Sequence, residues 1–294
     1  MILNASGCLD ALVAPQVARS LDAYVTKTVT PRPREGNEPV RITEAGDGML
    51  NAIGLANPGI EAFRRETLPR LLALGVPVWV SVGGFEATDY AALCAVLDGE
   101  EVEAIELNVS CPNAASPAEA TEEIVAAARA VTAKPLFTKL SPALPDIAEA
   151  ARAAAAAGTD GLSLVNTLRA LALDRHTLTP VLSTASGGLS GAPLRHVALA
   201  AVHACYAATG LPIVGMGGVE TGRHALELVA AGASSVALGT VLFRDPEAPG
   251  RIRTELDAEA QRAGFAFPWR ARGVAHVPRR RTLSAKTKIP ANQR

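Results

Sequence analysis

Ala104-Ile105-Glu106-Leu107-Asn108-Val109-Ser110-Cys111-Pro112-Asn113 is the stretch from which this chain is best read. Its first four residues form a largely apolar run that reads as a buried strand. The run ends in two amides and one thiol, groups that can hold a flat polar ligand or move a proton. Ser116, Pro117 and Glu119 then spell a helix start, with a cap, a first-turn proline and a capping-box acid ahead of a helical stretch over 118–131. Strand, polar loop and helix make one β/α unit, with its chemistry at the C-terminal end of the strand.

The same unit recurs along the chain. Short apolar runs at 2–5, 24–27, 78–82, 104–108, 136–140, 161–165, 212–216 and 235–238 read as strands. They lack strict alternation, as parallel strands buried on both faces do. Helical stretches lie between most of them, including 194–208 and 223–231. Eight β/α alternations favour a closed (β/α)8 TIM barrel, an α/β fold, over an open doubly wound sheet. With 294 residues, 49% of them hydrophobic, the chain has enough apolar surface for one core. Neither a repeat nor an interdomain linker interrupts it, so 1–294 reads as a single domain. The basic stretch from Arg279 to Arg294 reads as a peripheral tail.

A net charge of −1 offers no field for nucleic acid or an anionic membrane. No apolar run approaches membrane-spanning length. Cys8, Cys94, Cys111 and Cys205 are scattered, without a C-x-x-C pair, so no zinc ribbon or iron–sulfur cluster is signalled and reduced cytoplasmic thiols are expected. His176, His196, His203, His224 and His276 show no metal spacing and read as surface or helix residues. Cys8, Cys94 and Cys205 read as small buried apolar side chains. Cys111 stands apart because it sits in a polar loop past a strand end.

Barrel active sites form at the C-terminal strand ends, and polar residues gather there in all eight cases. Ser6-Gly7, Lys27-Thr28 and Gly83-Gly84 close the first three strands. Asn108, Lys139 and Asn166-Thr167 close the next three, and Gly217-Gly218 and Gly239-Thr240 the last two. Turn propensity explains the glycines. It does not explain Lys27 and Lys139, which must reach solvent or a counter-charge. The paired glycine sites after the seventh and eighth strands suit one phosphate. They are not a dinucleotide fingerprint, because Glu220 stands where the third glycine would be.

These blocks, together with Val25-Thr26-Lys27-Thr28-Val29-Thr30, Met49-Leu50-Asn51-Ala52-Ile53-Gly54-Leu55, Lys139-Leu140-Ser141-Pro142 and Gly187-Gly188-Leu189-Ser190-Gly191, resemble in order and spacing the soluble, cysteine-base dihydroorotate dehydrogenases. The pattern is most similar to the NAD-linked branch of class 1. The resemblance implies FMN across the barrel mouth, contacted by Ala5, Ser6, Gly7, Lys27, Thr28, Asn108, Lys139, Val165, Gly191, Gly217, Gly218, Gly239 and Thr240. It implies dihydroorotate, or its product orotate, held by Lys27, Asn51, Ala52, Ile53, Gly54, Leu55, Asn108, Asn113, Asn166 and Thr167, with Cys111 as the base that takes the C5 proton. It further implies a homodimer and an electron-transfer subunit carrying FAD and an iron–sulfur centre. Ala114-Ala115 form a shorter link to the next helix than the family's usual glycine-containing lid, so a less covered site is expected.

Two relatives share parts of this pattern. Dihydropyrimidine dehydrogenase domains carry histidine where Asn113 stands. The tRNA-dihydrouridine synthases need an RNA surface and a further helical domain, which the −1 charge and the sequence after Asp245 do not supply. A flavin-binding protein without turnover is the alternative from another class.

Overall fold

The computed structural model describes residues 1–109 and 117–277. Twelve strands are formed among them: β1 (Ile2–Asn4), β2 (Tyr24–Val25), β3 (Ile42–Ala45), β4 (Gly48–Asn51), β5 (Val78–Val82), β6 (Ala104–Asn108), β7 (Leu136–Leu140), β8 (Gly161–Leu164), β9 (Leu168–Leu171), β10 (Ser186–Gly191), β11 (Ile213–Met216) and β12 (Ser235–Leu238). Eight of these form one parallel sheet in the order β1-β12-β11-β8-β7-β6-β5-β2. They are the eight runs read from the sequence, trimmed by a residue or two at some ends.

The sheet closes on itself at the β1/β2 seam, where Leu3 bridges Ala23 in parallel and Asp22 N–H donates to Ile2 O at 2.9 Å. Strand β2 is short, and its other edge pairs with β5. The result is a (β/α)8 barrel. Its outer helices include Ala87–Asp98, Pro117–Arg129, Ile147–Ala156, Arg195–Thr209, Gly222–Ala231 and Ala248–Arg262.

Two apolar clusters follow from strand alternation. Outward residues such as Ile2, Val80, Ile105, Leu107, Leu136 and Leu162 pack under the helices. Leu3, Val25, Trp79, Ala104, Val214, Met216 and Ala237 fill the barrel interior. There the Trp79 and Phe137 rings lie 4.4 Å apart.

A second sheet, antiparallel and ordered β3-β4-β10-β9, stands outside the barrel. The sequence reading assigned no strand to it. Its strands are half-exposed and β10 is glycine-rich, so neither apolar runs nor β propensity marks them. Tertiary pairing supplies what local sequence does not: β4 and β10, distant in sequence, meet with Asn51 opposite Gly188.

Candidate active site

The C-terminal ends of the barrel strands open on a cavity. Nine of the expected cofactor residues line it: Ala5 and Ser6 after β1, Lys139 on β7, Val165 after β8, Gly191, and the two pairs Gly217-Gly218 and Gly239-Thr240. Asn166 and Thr167, expected at the substrate, line it as well.

The glycine pairs make a cradle. Gly218 has φ +67, and a Cβ there would lie 2.8 Å from both Arg195 Cβ and Gly191 O. Only glycine gives this turn without strain. A Cβ on Gly239 would meet only Ala5 Cβ and Cys8 Sγ, each at 3.6 Å, so the missing side chain leaves room inside the cavity. Thr240 Oγ1 donates to Ser190 Oγ at 2.9 Å, tying the loop after β12 to β10. Exposed backbone between a strand end and the start of helix Gly222–Ala231 suits a phosphate. These residues fit the expected FMN, the glycine pairs suiting its phosphate end.

A hydrogen-bonded chain of amides and hydroxyls crosses the mouth. Asn166 Nδ2 donates to Asn108 Oδ1 at 2.9 Å, and Asn108 Nδ2 donates to Thr28 Oγ1 at 3.2 Å. Thr28 Oγ1 in turn lies 3.0 Å from Ser81 Oγ and 3.3 Å from Ser6 Oγ. Thr28 is thereby placed behind the site, buried, rather than on the cavity wall. Asn166 Oδ1 accepts from Thr167 N–H at 2.8 Å, which orders the loop after β8.

Two lysines converge on this region. Lys139 is 6% exposed and lines the cavity, with its Nζ 3.5 Å from Glu106 Oε1. Lys27 packs its chain against Gly7, where a Cβ would lie 2.9 Å from Lys27 Cδ. Burial first, and the neighbouring Lys139 ammonium second, push Lys27 below the usual lysine range, while Cys8 opposes the shift. Lys27 and Gly7 line a larger neighbouring cavity of about 690 Å³, which shares Cys8 with the first.

The remaining expected substrate residues are less tightly gathered. Asn51 Nδ2 donates to Gly188 O at 3.4 Å, and a Cβ on Gly188 would collide with Thr167. That places Asn51 across β10 from Thr167. Ala52, Ile53, Gly54 and Leu55 continue from β4 without lining either cavity. Their backbone is instead held by Arg41, Asn37, Arg34 and Asn57. Cys111, Asn113 and the Ala114-Ala115 link lie outside the described residues, as does the basic tail.

Cys8 corrects one expectation. It is a mostly buried free thiol that lines both cavities, outside the apolar core. The left-handed turn at Gly7 (φ +78) carries it past the end of β1 into the mouth. Cys94 and Cys205 are buried, as read. Ser81, Ser190 and Glu106 were not singled out. Glu106 could have been, since a carboxylate inside an otherwise apolar buried strand needs a partner.

Known proteins match this chain closely. The sequence profile of the dihydroorotate dehydrogenase family matches residues 1–259. A protein of Desulforudis audaxviator named dihydroorotate dehydrogenase B (NAD(+)), catalytic subunit, is 45% identical over 264 residues, covering 87% of this chain and 86% of its own length. Catalytic subunits of the same name from Latilactobacillus sakei and Listeria innocua are 42% and 40% identical, covering 88% and 84% of this chain and the same shares of their own lengths. Among solved structures, DHODH from Eimeria tenella in complex with ferulenol superposes with a TM-score of 0.78 at 24% identity, over 94% of this chain and 85% of that one. That likeness shows the barrel fold.

Proposed function

This chain belongs to the dihydroorotate dehydrogenase family, and we propose that it carries out the family's oxidation with FMN in the cavity at the barrel mouth and Cys111 as the base. It is an oxidoreductase that converts dihydroorotate to orotate in pyrimidine biosynthesis. The observation that carries the FMN reading is the convergence of Lys139 and the glycine pairs after β11 and β12 on one cavity. Bound FMN supplies the hydride acceptor.

The chain's own residues supply the rest. The Asn166–Asn108–Thr28 chain fixes two amides at the mouth, where they suit the carbonyls and ring nitrogens of a pyrimidine. Thr167 and Asn51, on either side of Gly188, suit its other edge. Lys27 offers a cation to the carboxylate of an anionic substrate. Lys139 offers one to negative charge that develops on a reduced cofactor. Cys111 follows β6 by three residues and takes the proton from C5 of dihydroorotate.

The same reading includes a homodimer, a cytoplasmic location and a partner subunit with FAD and an iron–sulfur centre. The names of the relatives as NAD-linked catalytic subunits support the partner. So does the open apolar flank next to Cys8, where Val13 and Phe243 are exposed beside the larger cavity. No helix among the described residues is long and apolar enough to cross a membrane.

Anaerobic mixing of the FMN-loaded chain with dihydroorotate tests the reading. Bleaching of the flavin absorbance by dihydroorotate, and not by dihydrouracil, is the expected result. Bleaching by dihydrouracil, or by neither compound, overturns it. Rapid NAD reduction by the chain alone would remove the need for the partner.

A further inference from the structure

Glu106 is 1% exposed, in the middle of β6, among strands whose residues are otherwise apolar or small. Alternation along β6 places it on the side of Ala104, an interior residue, and alternation along β7 places Lys139 on the side of Phe137. Both therefore project inside the barrel. Glu106 Oε1 lies 3.5 Å from Lys139 Nζ, close enough for an ion pair, yet it has no hydrogen-bond partner. The Ser163 hydroxyl and the Trp79 indole N–H are likewise buried without partners. Ser163 stands opposite Lys139 in the β7–β8 register.

Orphaned buried polar atoms are uncommon and call for an explanation. A buried ion pair is weak evidence for stability, because desolvation offsets the attraction and apolar replacements serve as well. The geometry gives this pair another use. Lys139 has its carboxylate partner behind it, inside the barrel, and the cavity in front of it.

We propose that Glu106 is a positioning residue for Lys139: its carboxylate holds the ammonium at the floor of the cavity and offsets part of its charge, so that the pair sets the reduction potential of the bound flavin. The inference rests on the reading of that cavity as the FMN site. Reduction adds negative charge to a flavin. A nearby ammonium favours the reduced form and a nearby carboxylate disfavours it. Because both side chains are nearly inaccessible, solvent screens them weakly. The distance between the two charges thus fixes how much positive potential the cofactor meets. Glu106 touches neither substrate nor cofactor in this arrangement; it acts by holding Lys139 and by its own charge at a distance.

The test measures the midpoint potential of FMN bound to the full chain for Glu106→Gln, Lys139→Met and Glu106→Met/Lys139→Met, with FMN absorbance and thermal melting as checks of the fold. Glu106→Gln keeps the shape and removes the charge. It should shift the oxidised/reduced equilibrium about tenfold toward the reduced form, ~30 mV for a two-electron couple. Lys139→Met should shift it the other way, and the double variant should lie above Lys139→Met. If Glu106→Gln does not fold, the comparison of Lys139→Met with the double variant still decides, since that pair differs by the carboxylate alone. A lowered potential in Lys139→Met, with Glu106→Gln unchanged and the double variant equal to Lys139→Met, overturns the proposal and leaves the FMN site standing. An unchanged potential in Lys139→Met instead removes Lys139 from the flavin, and the proposal fails together with that part of the site.

Discussion

Asn4 completes the barrel by standing in for backbone against Val25. Its Nδ2 donates to Val25 O at 2.7 Å, and its Oδ1 accepts from Val25 N–H at 2.8 Å. Along β2 the peptide groups alternate sides. Tyr24 and Thr26 donate to Pro77 and Trp79 on the β5 side, which leaves Val25 facing β1. There the wholly buried Asn4 side chain supplies both halves of the missing ladder step. Asn4→Leu keeps the size but strands two buried backbone groups, each costing about 1–3 kcal/mol. A loss of about 2–5 kcal/mol in urea unfolding is expected, and loss of FMN binding with it, since Lys27 and Thr28 follow directly. A loss below about 1 kcal/mol would mean the seam is held by other contacts.

The two glycine pairs make separable predictions. A methyl on Gly239 would enter the cavity between Ala5 and Cys8 without touching the packed core. Gly239→Ala should therefore weaken FMN binding at least tenfold (about 1.4 kcal/mol) while leaving the thermal midpoint close to the parent. Gly218→Ala forces an alanine into φ +67 and crowds Arg195 and Gly191 O. It should lower both FMN affinity and stability, the latter by about 1 kcal/mol or more. Titration with FMN followed by melting of each apoprotein separates the two. Equal stability losses would move Gly239 out of the cavity and into the fold.

The sequence made the barrel legible because parallel strands buried on both faces appear as uninterrupted apolar runs. Val78–Val82 and Leu136–Leu140 match their runs to the residue. Lys27, Lys139 and the Asn166-Thr167 pair stood out because polar groups at the ends of such runs need partners. The sheet formed by β3, β4, β9 and β10 was not legible. Its glycine-rich Ser186–Gly191 strand carries no β signal, and its pairing with Gly48–Asn51 joins segments far apart in sequence. Cys8 was misread because composition cannot tell a core thiol from one turned into a mouth by a left-handed Gly7. Glu106 was passed over because its partner Lys139 sits on the next strand, and only register brings the two together.

Asp22 predicts where acid begins to loosen the fold. Its Oδ2 accepts from Ile2 N–H at 2.7 Å and from Arg253 at 3.0 Å, tying β1 to helix Ala248–Arg262. Burial alone would raise its pKa, but the Arg253 and Ile2 hydrogen bonds and the Arg253 charge outweigh it and hold the carboxyl below the usual aspartate range. A depressed carboxylate stabilises the fold above its unfolded pKa and loses that contribution as pH falls through the folded one. Asp22→Asn should thus cost about 1 kcal/mol at pH 7, modest because the pair is partly exposed. The deficit should shrink as the pH falls below the ordinary aspartate range. A constant deficit across pH would show that the lost contribution is not ionic.

Lys27 predicts a pH limit for ligand binding. Its ammonium is destabilised by burial and by Lys139, so it loses its proton below the usual lysine range. Orotate is an anion and needs that charge. Its affinity should fall as pH rises through the lowered value, at less alkaline pH than an ordinary lysine would give. Lys27→Met should weaken orotate by about 10–100-fold, the worth of a charge-assisted bond of about 1.5–3 kcal/mol. That variant should also lose this part of the pH dependence. Orotate dissociation constants measured from the flavin spectrum between neutral and alkaline pH report both effects. A wild-type affinity flat over that range would take Lys27 away from the ligand's carboxylate.

The last prediction chooses between two thiols. Cys8 lines the cavity, and Cys111 lies three residues beyond β6, outside the described residues. Each follows the end of a barrel strand in the sequence, which alone would let either one serve as the base. Their chemistry differs. Burial pushes the Cys8 thiol up, and the Lys139 and Lys27 charges only partly offset it. A thiol so raised is a poor source of thiolate near neutral pH. Cys8→Ser should therefore leave the rate of flavin reduction by dihydroorotate within a few-fold of the parent. Cys111→Ala should still bind orotate yet reduce its flavin about 10²–10⁴-fold more slowly, the usual cost of removing a general base. Stopped-flow reduction under anaerobic conditions reads both variants on one scale. A slow Cys8→Ser with a fast Cys111→Ala would move the base from the loop after β6 to the turn after β1.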